Sequence, residues 1–488
     1  MRRFFFVFLV LVAPAVLAAD EKLKGEIKAE GTGKNNPAKI KICDVCNCTE
    51  KTMDCSNRGL NMSVFDYDFP ADKHYDVLDF SHNKIGRIRP LPTTQVFKLV
   101  FRNNNVSIID DHSFKLVANL TELDLSHNSL SFESLSPHAF RGHFSSESYE
   151  TLKKLRKLDL SHNNFISLKP NIFEHVTGMT HLNLSHNPLK VFNQMLITTI
   201  TTISLLEDLS MSHCQFKKID ATAMRIHQRL KILDLSYNLF QEPPNVLEDV
   251  NSLESLILDG NPIVNLTAEN GFPSMKSLKA LSMSDMPKLV WIGEGSMCHL
   301  QALESLRITN CPNFTDIDED ALALKSSSGG TTWPLIKALD LSNNALKYLP
   351  DNLIARWDDV KQLHLKDNQW HCDCDNQNLI GVILPKYGKK LMGSEASELR
   401  CAAPPEHSNR TLESLAGWKL RCPDMYGARP ERDSAVLIGM LVGVLLSVPI
   451  VLVFFVFWKR GYFFCSTQGP AAFSRAFYKR TPPFEDDV

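Results

Sequence analysis

The chain carries no excess of charge of either sign: 53 Lys plus Arg stand against 55 Asp plus Glu over 488 residues, a formal net charge of −2. A surface without a net field does not gather polyanions from a distance, so nucleic acid is not expected as a partner. Cysteine is nearly missing from the long middle, where only Cys214, Cys298 and Cys311 lie between Cys55 and Cys372. Any disulfide knots are therefore confined to the two ends. Long apolar runs are few, and after the last of them only about 30 residues remain, Lys459 to Val488. That is too little chain to bury the core of a kinase or any other catalytic domain.

The two apolar runs have different meanings. MRRFFFVFLVLVAPAVLAAD begins with the basic pair Arg2 and Arg3, continues with an apolar stretch too short to span a bilayer, and closes on small residues near Ala18 and Ala19. This is the three-part pattern of a secretory signal peptide over residues 1–19, with a polar segment following over 20–42. The second run, Ala435 to Trp458, has no charge over about 24 residues and is long enough for a membrane-crossing helix. Lys459 and Arg460 follow it directly, which by the positive-inside rule makes the chain a single-pass type I plasma-membrane protein with its N-terminus outside. A juxtamembrane linker, 424–434, precedes the span and a cytoplasmic tail, 459–488, follows it. Asn-X-Ser/Thr acceptors at Asn47, Asn61, Asn105, Asn119, Asn183, Asn265, Asn313 and Asn409 all fall on the proposed outer side.

LDLSHN at 123–128 holds an Asp, a Ser and a His, the residue types of a hydrolase triad. The same letters return at 158, and near-copies appear at 182 (LNLSHN), 209 (LSMSHC), 233 (LDLSYN) and 339 (LDLSNN). An active site is assembled once per domain, whereas a motif recurring at regular spacing is an architectural unit. Asp124, Ser126 and His127 are therefore read as repeat residues, and no enzyme activity or cofactor is expected.

Aligned on LxxLxLxxN, about twelve copies cover 71–369, with ninth positions at Asn83, Asn104, Asn128, Asn163, Asn187, Cys214, Asn238, Asn261, Met286, Cys311, Asn344 and Asn368. Most intervals are about 21 to 27 residues. The interval ending at Asn163 carries an insertion around SPHAFRGHFSSESYE, and the one ending at Asn344 carries KSSSGGTTW, whose Ser and Gly suggest a loop. In LDL the leucines are two apart, so on a short strand both point inward while their neighbours face out. Stacked copies make a parallel sheet, about 55 Å along the stack at the usual strand spacing. At position nine the chain turns, and an Asn amide bonds the backbone of neighbouring turns. Cys214 and Cys311 can stand in as weak thiol donors; Met286 cannot, so the ladder is expected to be interrupted there.

These repeats, with CDVCNCTEKTMDCSNRGL before them and DNQWHCDCDNQNL, ELRCAAPPE and WKLRC after them, resemble extracellular leucine-rich-repeat receptors and adhesion proteins. The resemblance spans roughly residues 43–423. It implies an α/β solenoid: a leucine-rich-repeat horseshoe with a parallel concave sheet, cysteine caps over 43–70 and 370–423, and one transmembrane helix. The family's pairing, first with third and second with fourth cysteine, would join Cys43 to Cys48, Cys46 to Cys55, Cys372 to Cys401 and Cys374 to Cys422. Spacing alone leaves connectivity open. Zinc is disfavoured because exported thiols oxidise and no matching His spacing accompanies them. Cys214 and Cys311 lie four repeats apart, near 20 Å at about 4.8 Å per strand, too far to bond.

By the same resemblance the chain is a cell-surface glycoprotein that binds a protein ligand or another cell's surface in adhesion or recognition, signalling through recruited partners. The alternatives are an innate immune co-receptor with a Toll-like ectodomain and a modulator of a developmental signalling pathway. Outward strand positions that depart from the repeat pattern are candidate contacts: Lys98, Val100 and Arg102 in one patch, and Ile232, Ile257 and Arg307 in another. A glycan on Asn183, between two inward leucines, would stand on the concave face and keep ligand from that sector. The column His82, His127, His162, His186 and His213 is read as residues tolerated at a turn, with metal binding or pH sensing as the sharper alternative. The Asp column (Asp79, Asp124, Asp159, Asp234, Asp340) is read as repeat consensus. In the span, Gly439 and Gly443 have the spacing of a helix-dimer contact, and Pro449 is expected to kink the helix. In the tail, Cys465 is a candidate palmitoylation site, Thr481 a candidate phosphosite, and Asp486 with Val488 a candidate terminus for a cytoplasmic PDZ protein.

Overall fold

The computed structural model describes residues 39–145, 148–149, 151–220, 228–354, 356–422 and 430–460. The signal peptide, most of the polar segment, residues 424–429 of the linker, and the tail with Cys465, Thr481, Asp486 and Val488 lie outside the described residues.

The inward leucines pair coil to coil in a single register. Leu123, Leu158, Leu182 and Leu209 are direct partners on successive parallel strands, and so onward to Leu339 and Leu363. The result is one sheet of fourteen strands, from Asn47–Cys48 to Gln362–His364. Only its first pair, Asn47–Cys48 with Thr52–Asp54, is antiparallel; from there each strand runs parallel to the one before it. Burial of each coil's leucines against its neighbours' is what holds the stack, because no coil encloses a core alone. Among the described residues the opposite layer includes short 3₁₀ turns such as Pro137–Phe140 and Asn245–Asp249, the α-helix Gln194–Thr201, and a three-strand ribbon of Asn265–Leu266, Trp291–Ile292 and Asp316–Ile317.

Each coil leaves its strand through the same sharp turn. The eighth motif position adopts the left-handed region in every coil, with φ between 51° at Tyr237 and 68° at Gly260. His, Asn, Asp and Gly tolerate that region better than most residues, which explains the letters found there. The consensus Asp prepares the turn: Asp124, Asp159 and Asp234 accept the backbone N–H two residues on at 2.9, 2.8 and 2.9 Å. At position nine the side chain then bonds inward. Asn163 Nδ2 donates to the carbonyls of Leu125, Leu160 and Ser161 at 3.0 Å each.

The thiols of Cys214 and Cys311 take over this role, each donating to two carbonyls at 3.3 to 3.5 Å. Burial pushes both thiols up to about 12, so they remain protonated donors. Met286 donates nothing, yet the nearby Leu258 carbonyl is bonded by Asn261 and the Met283 carbonyl by Cys311. The overlap of successive rungs keeps these two carbonyls bonded, while the rung itself is interrupted at Met286. The insertion KSSSGGTTW is a loop whose ends pair as a two-strand hairpin, Leu324–Lys325 with Thr331–Thr332. Gly329, at φ 88°, makes its turn. The insertion before Asn163 likewise contains a hairpin, Phe144–Ser145 with Ser148–Tyr149.

Both ends are closed by disulfides: Cys43–Cys48 and Cys46–Cys55 before the array, Cys372–Cys401 and Cys374–Cys422 after it. Cys214, Cys298 and Cys311 are free thiols. The first cap buries Ile42 completely, so its packing begins one residue before its first cysteine. In the last cap Glu395 folds over the end strand, accepting from the N–H groups of Leu365 and Lys366 at 2.9 Å each. Trp370 fills the space beneath, its indole N–H bonded to the Leu365 carbonyl at 3.1 Å. After the cap, the helix Pro430–Lys459 is apolar and long enough over Ser434–Lys459 to cross a bilayer, and it continues on both sides of Pro449.

Candidate ligand-binding face

On a parallel strand of three residues the middle leucine goes inward, and the two flanking side chains form the concave face. Its N-terminal sector is charged and internally paired. Glu122 lies 3.3 Å from both Lys98 and Lys157 on the strands either side. Burial alone would push its carboxyl up, but the bonds from Lys157 and Lys98 outweigh this and hold it below the usual carboxylate range. Asp159 accepts from Asn183 Nδ2 at 3.2 Å, and Asn183 Oδ1 accepts from the Ser185 N–H at 3.0 Å. Asp159 and Asn183, with Lys98, Glu122, Lys157 and Asp208, surround a shallow hollow of about 400 Å³. Burial raises the Asp208 carboxyl in its wall.

The first candidate patch is largely occupied. Lys98 is engaged with Glu122, and Arg102 donates to His127 Nε2 at 3.0 Å. Val100 corrects the expectation of an exposed apolar residue: it is 8% exposed, lying in register between Asp79 and Asp124 on flanking strands whose side chains rise beside it. The second patch is open. Ile232 is 39% exposed, Ile257 is half-buried, and Arg307 is exposed with Asp340 no nearer than 3.8 Å. Between them the face carries short side chains, Ser255, Ala280, Ser282 and Ser305. Below this sector, Glu207, Lys231, Glu254, Lys279, Glu304 and Lys337 alternate in charge from coil to coil, with Lys231–Glu207 at 3.0 Å, Lys279–Glu254 at 2.9 Å and Lys337–Glu304 at 2.6 Å. Exposed pairs of this kind add little stability; they neutralise one another and leave the border without a field. A charge column with one member per coil was readable in the sequence.

The hydrolase constellation does not assemble. Ser126 Oγ is buried and unbonded, and Asp124 accepts from the Ser126 backbone rather than from His127. His127 instead begins a stack along the rim: His127–His162, His162–His186 and His186–His213 have centroids 3.8, 3.9 and 3.9 Å apart, and Tyr237 continues it at 4.4 Å. Tyr237 lies over Gly260 and donates to Asp285 at 2.7 Å, two coils further on. Rings stacked face to face point their nitrogens in parallel rather than at one point, so they do not form a chelating set. His82 stands outside the stack and accepts from Asn103 Nδ2 at 3.2 Å.

Burial lowers His162, His186 and His213, and the nearest ring in the stack lowers each further: His127 acts on His162, His162 on His186, and His186 on His213. Arg102 adds to this on His127 and His162, against Asp124 and Asp159, while Asp234 opposes it on His186 and His213. With the folded state holding imidazoles below 6.5, the unfolded chain binds protons first as pH falls. The stack's contribution is whole above about pH 6.5 and is lost as pH drops through the lowered values. Asp208 and Asp259, raised mainly by burial, act in the opposite sense in the acidic range. A His162→Asn/His186→Asn protein should therefore lose less Tm between pH 7.5 and 5.5 than the parent. Parallel melting curves would refute the role given to the stack.

Comparison with known proteins follows the coils. Models of the leucine rich repeat match residues 119–142, 143–189 and 204–263. With the single-register leucines and the position-nine ladder, this decides the fold. The chain is a leucine-rich-repeat solenoid. This leucine-rich-repeat protein is 26% identical to Tsukushi of Gallus gallus over 359 residues, 72% of this chain and 82% of that one. It is 29% identical to trophoblast glycoprotein of Macaca fascicularis over 302 residues, 58% of this chain and 57% of that one. It is 26% identical to the transforming growth factor beta activator LRRC33 of Danio rerio over 327 residues, 66% of this chain and 37% of that one. A disulfide-capped leucine-rich-repeat array followed by an apolar helix is the layout of a secreted or type I membrane protein.

Proposed function

We propose that the protein is a type I cell-surface glycoprotein whose solenoid, over the strands from Ile232–Asp234 to Ser305–Arg307, binds a protein ligand or another cell's surface in adhesion or recognition. The observation that carries this is the contrast between the two patches: Ile232 and Arg307 stand uncovered among short side chains, while Lys98 and Arg102 are already engaged. Exposed aliphatic and Arg side chains on an otherwise smooth surface are what a protein partner covers with gain. A glycan on Asn183 would reserve the N-terminal sector and direct ligand to the other. The span would pair with a second copy through Gly439 and Gly443, which lie four residues apart on one side of the helix. Recruited cytoplasmic proteins, a PDZ protein at Asp486 and Val488 among them, would carry any signal.

The soluble fragment from residue 20 to 432, screened against cell-surface ectodomains including itself, tests this reading. Ile232→Asp or Arg307→Glu is expected to weaken the interaction found by about tenfold or more, the effect of losing roughly 1.4 kcal/mol. Lys98→Ala should change it little. Equal losses at both patches, or binding confined to microbial products, would overturn the proposal. The similarity to a protein named as a transforming growth factor beta activator favours a second reading, modulation of a secreted growth factor. Capture of a secreted factor instead of a membrane ectodomain would select it.

A further inference from the structure

The layer opposite the concave sheet carries a partly exposed flat aromatic side chain. Trp291, 37% exposed, is the central outward residue of the three-strand ribbon, with Asn265 in register on one side and Asp316 on the other. The indole is folded along its own strand onto Gly293, where an added Cβ would collide with the six-membered ring. Gly293 thus lets one face of the ring lie on backbone and turns the other outward. Asn265 is the first residue of Asn265-Leu266-Thr267, an acceptor for N-linked glycan. Its side chain makes no hydrogen bond among the described residues, whereas five other acceptors are engaged: Asn61 caps Ser63, Asn105 accepts from Ser129, Asn119 accepts from Lys154, Asn183 bonds Asp159 and Ser185, and Asn313 donates to Pro287. The backbone at Asn265 is fixed, its carbonyl accepting from Asn270 Nδ2 at 3.2 Å.

We infer that Trp291 is a docking platform for the first sugar of a glycan carried by Asn265. Side chains in register on adjacent strands emerge about 5 Å apart, which places the first pyranose against the indole. The C–H groups on one face of an N-acetylglucosamine ring are apolar and weakly positive, the complement of an aromatic face with its negative quadrupole. The occupant is supplied by the chain itself through the acceptor Asn, and it covers apolar area that a glycoprotein otherwise leaves in water. This rests on the reading that the solenoid is exported.

Full-length protein from mammalian cells provides the test, by glycopeptide mass spectrometry and by melting of the parent, Asn265→Gln, Trp291→Ala and the double variant. Asn265 is expected to be occupied. Its glycan should be less extended in the parent than in Trp291→Ala, and Trp291→Phe should restore part of the difference. The two Tm losses should be strongly sub-additive, because either change removes the same contact; the packing of Trp291 on Gly293 is lost in both backgrounds and cancels. Additive losses, or an unoccupied Asn265 beside occupied acceptors elsewhere, would overturn the inference and leave the exported-receptor reading standing. Glycan on none of the acceptors would overturn both.

Discussion

Asn238→Ala is expected to destabilise the solenoid by roughly 3–5 kcal/mol, among the largest effects of any single polar substitution in this chain. Asn238 is 2% exposed and serves five backbone groups. Its Nδ2 donates to the carbonyls of Met211, Leu235 and Ser236 at 2.9, 2.9 and 3.2 Å, and its Oδ1 accepts from the N–H groups of Cys214 and Phe216 at 3.0 Å each. Leu235 keeps a second bond, from Asn261. The Met211 carbonyl and the two N–H groups have no such reserve and would be stranded in a dry interior, at about 1–3 kcal/mol for each unpaired group. The companion substitution Asn238→Cys is expected to cost distinctly less, since thiols already hold two rungs of this ladder. Denaturant unfolding would measure both. A loss below about 1 kcal/mol for the alanine variant, or equal losses for the two, would contradict the ladder's role.

Removing the buried bridge of the C-terminal cap with Cys372→Ala and Cys401→Ala is expected to cost about 2–5 kcal/mol and to reduce surface display sharply. A solenoid depends on its ends because each coil is stabilised by its neighbours, and the last has a neighbour on one side only. Here that missing neighbour is the cap: Trp370 and the helical segment Lys389–Met392 cover the last strand, Leu379–Gly388 packs behind Lys389–Met392, and Glu395 bonds the N–H groups that follow the strand. With the cap loosened, Leu363 and Leu365, both fully buried, would face water and the next coils would fray in turn. Cell-surface staining alongside proteolysis of the purified chain would report this. Undiminished display with an intact protease pattern would show the bridge to be dispensable.

The coils were legible because their letters report local physics. Paired leucines two apart demand an inward-facing strand, and a polar residue at position nine answers buried backbone groups at a turn. Thiols at 214 and 311 and a gap at Met286 followed from side-chain chemistry alone. Other features depend on where neighbouring coils place their atoms. The histidine column was visible as a column, but face-to-face contact required the shared left-handed turn that aims every ring the same way. Val100 read as an exposed apolar residue because alternation says which face a side chain takes, not how far its neighbours rise beside it. Tyr237 reaching Asp285, two coils away over Gly260, has no signal in spacing.

Local chemistry repeated about once per turn of the coil specified the solenoid, its ladder, its charge balance and the apolar segments at the two ends, because each of those needs only a residue and its nearest neighbours along the chain or one coil over. Which concave residues stay open, which pair off, and which aromatic lies bare beside an acceptor Asn were decided by the stacked structure. Accessibility and pairing belong to surfaces built from many coils at once, and a linear pattern does not contain the heights and angles at which their side chains meet.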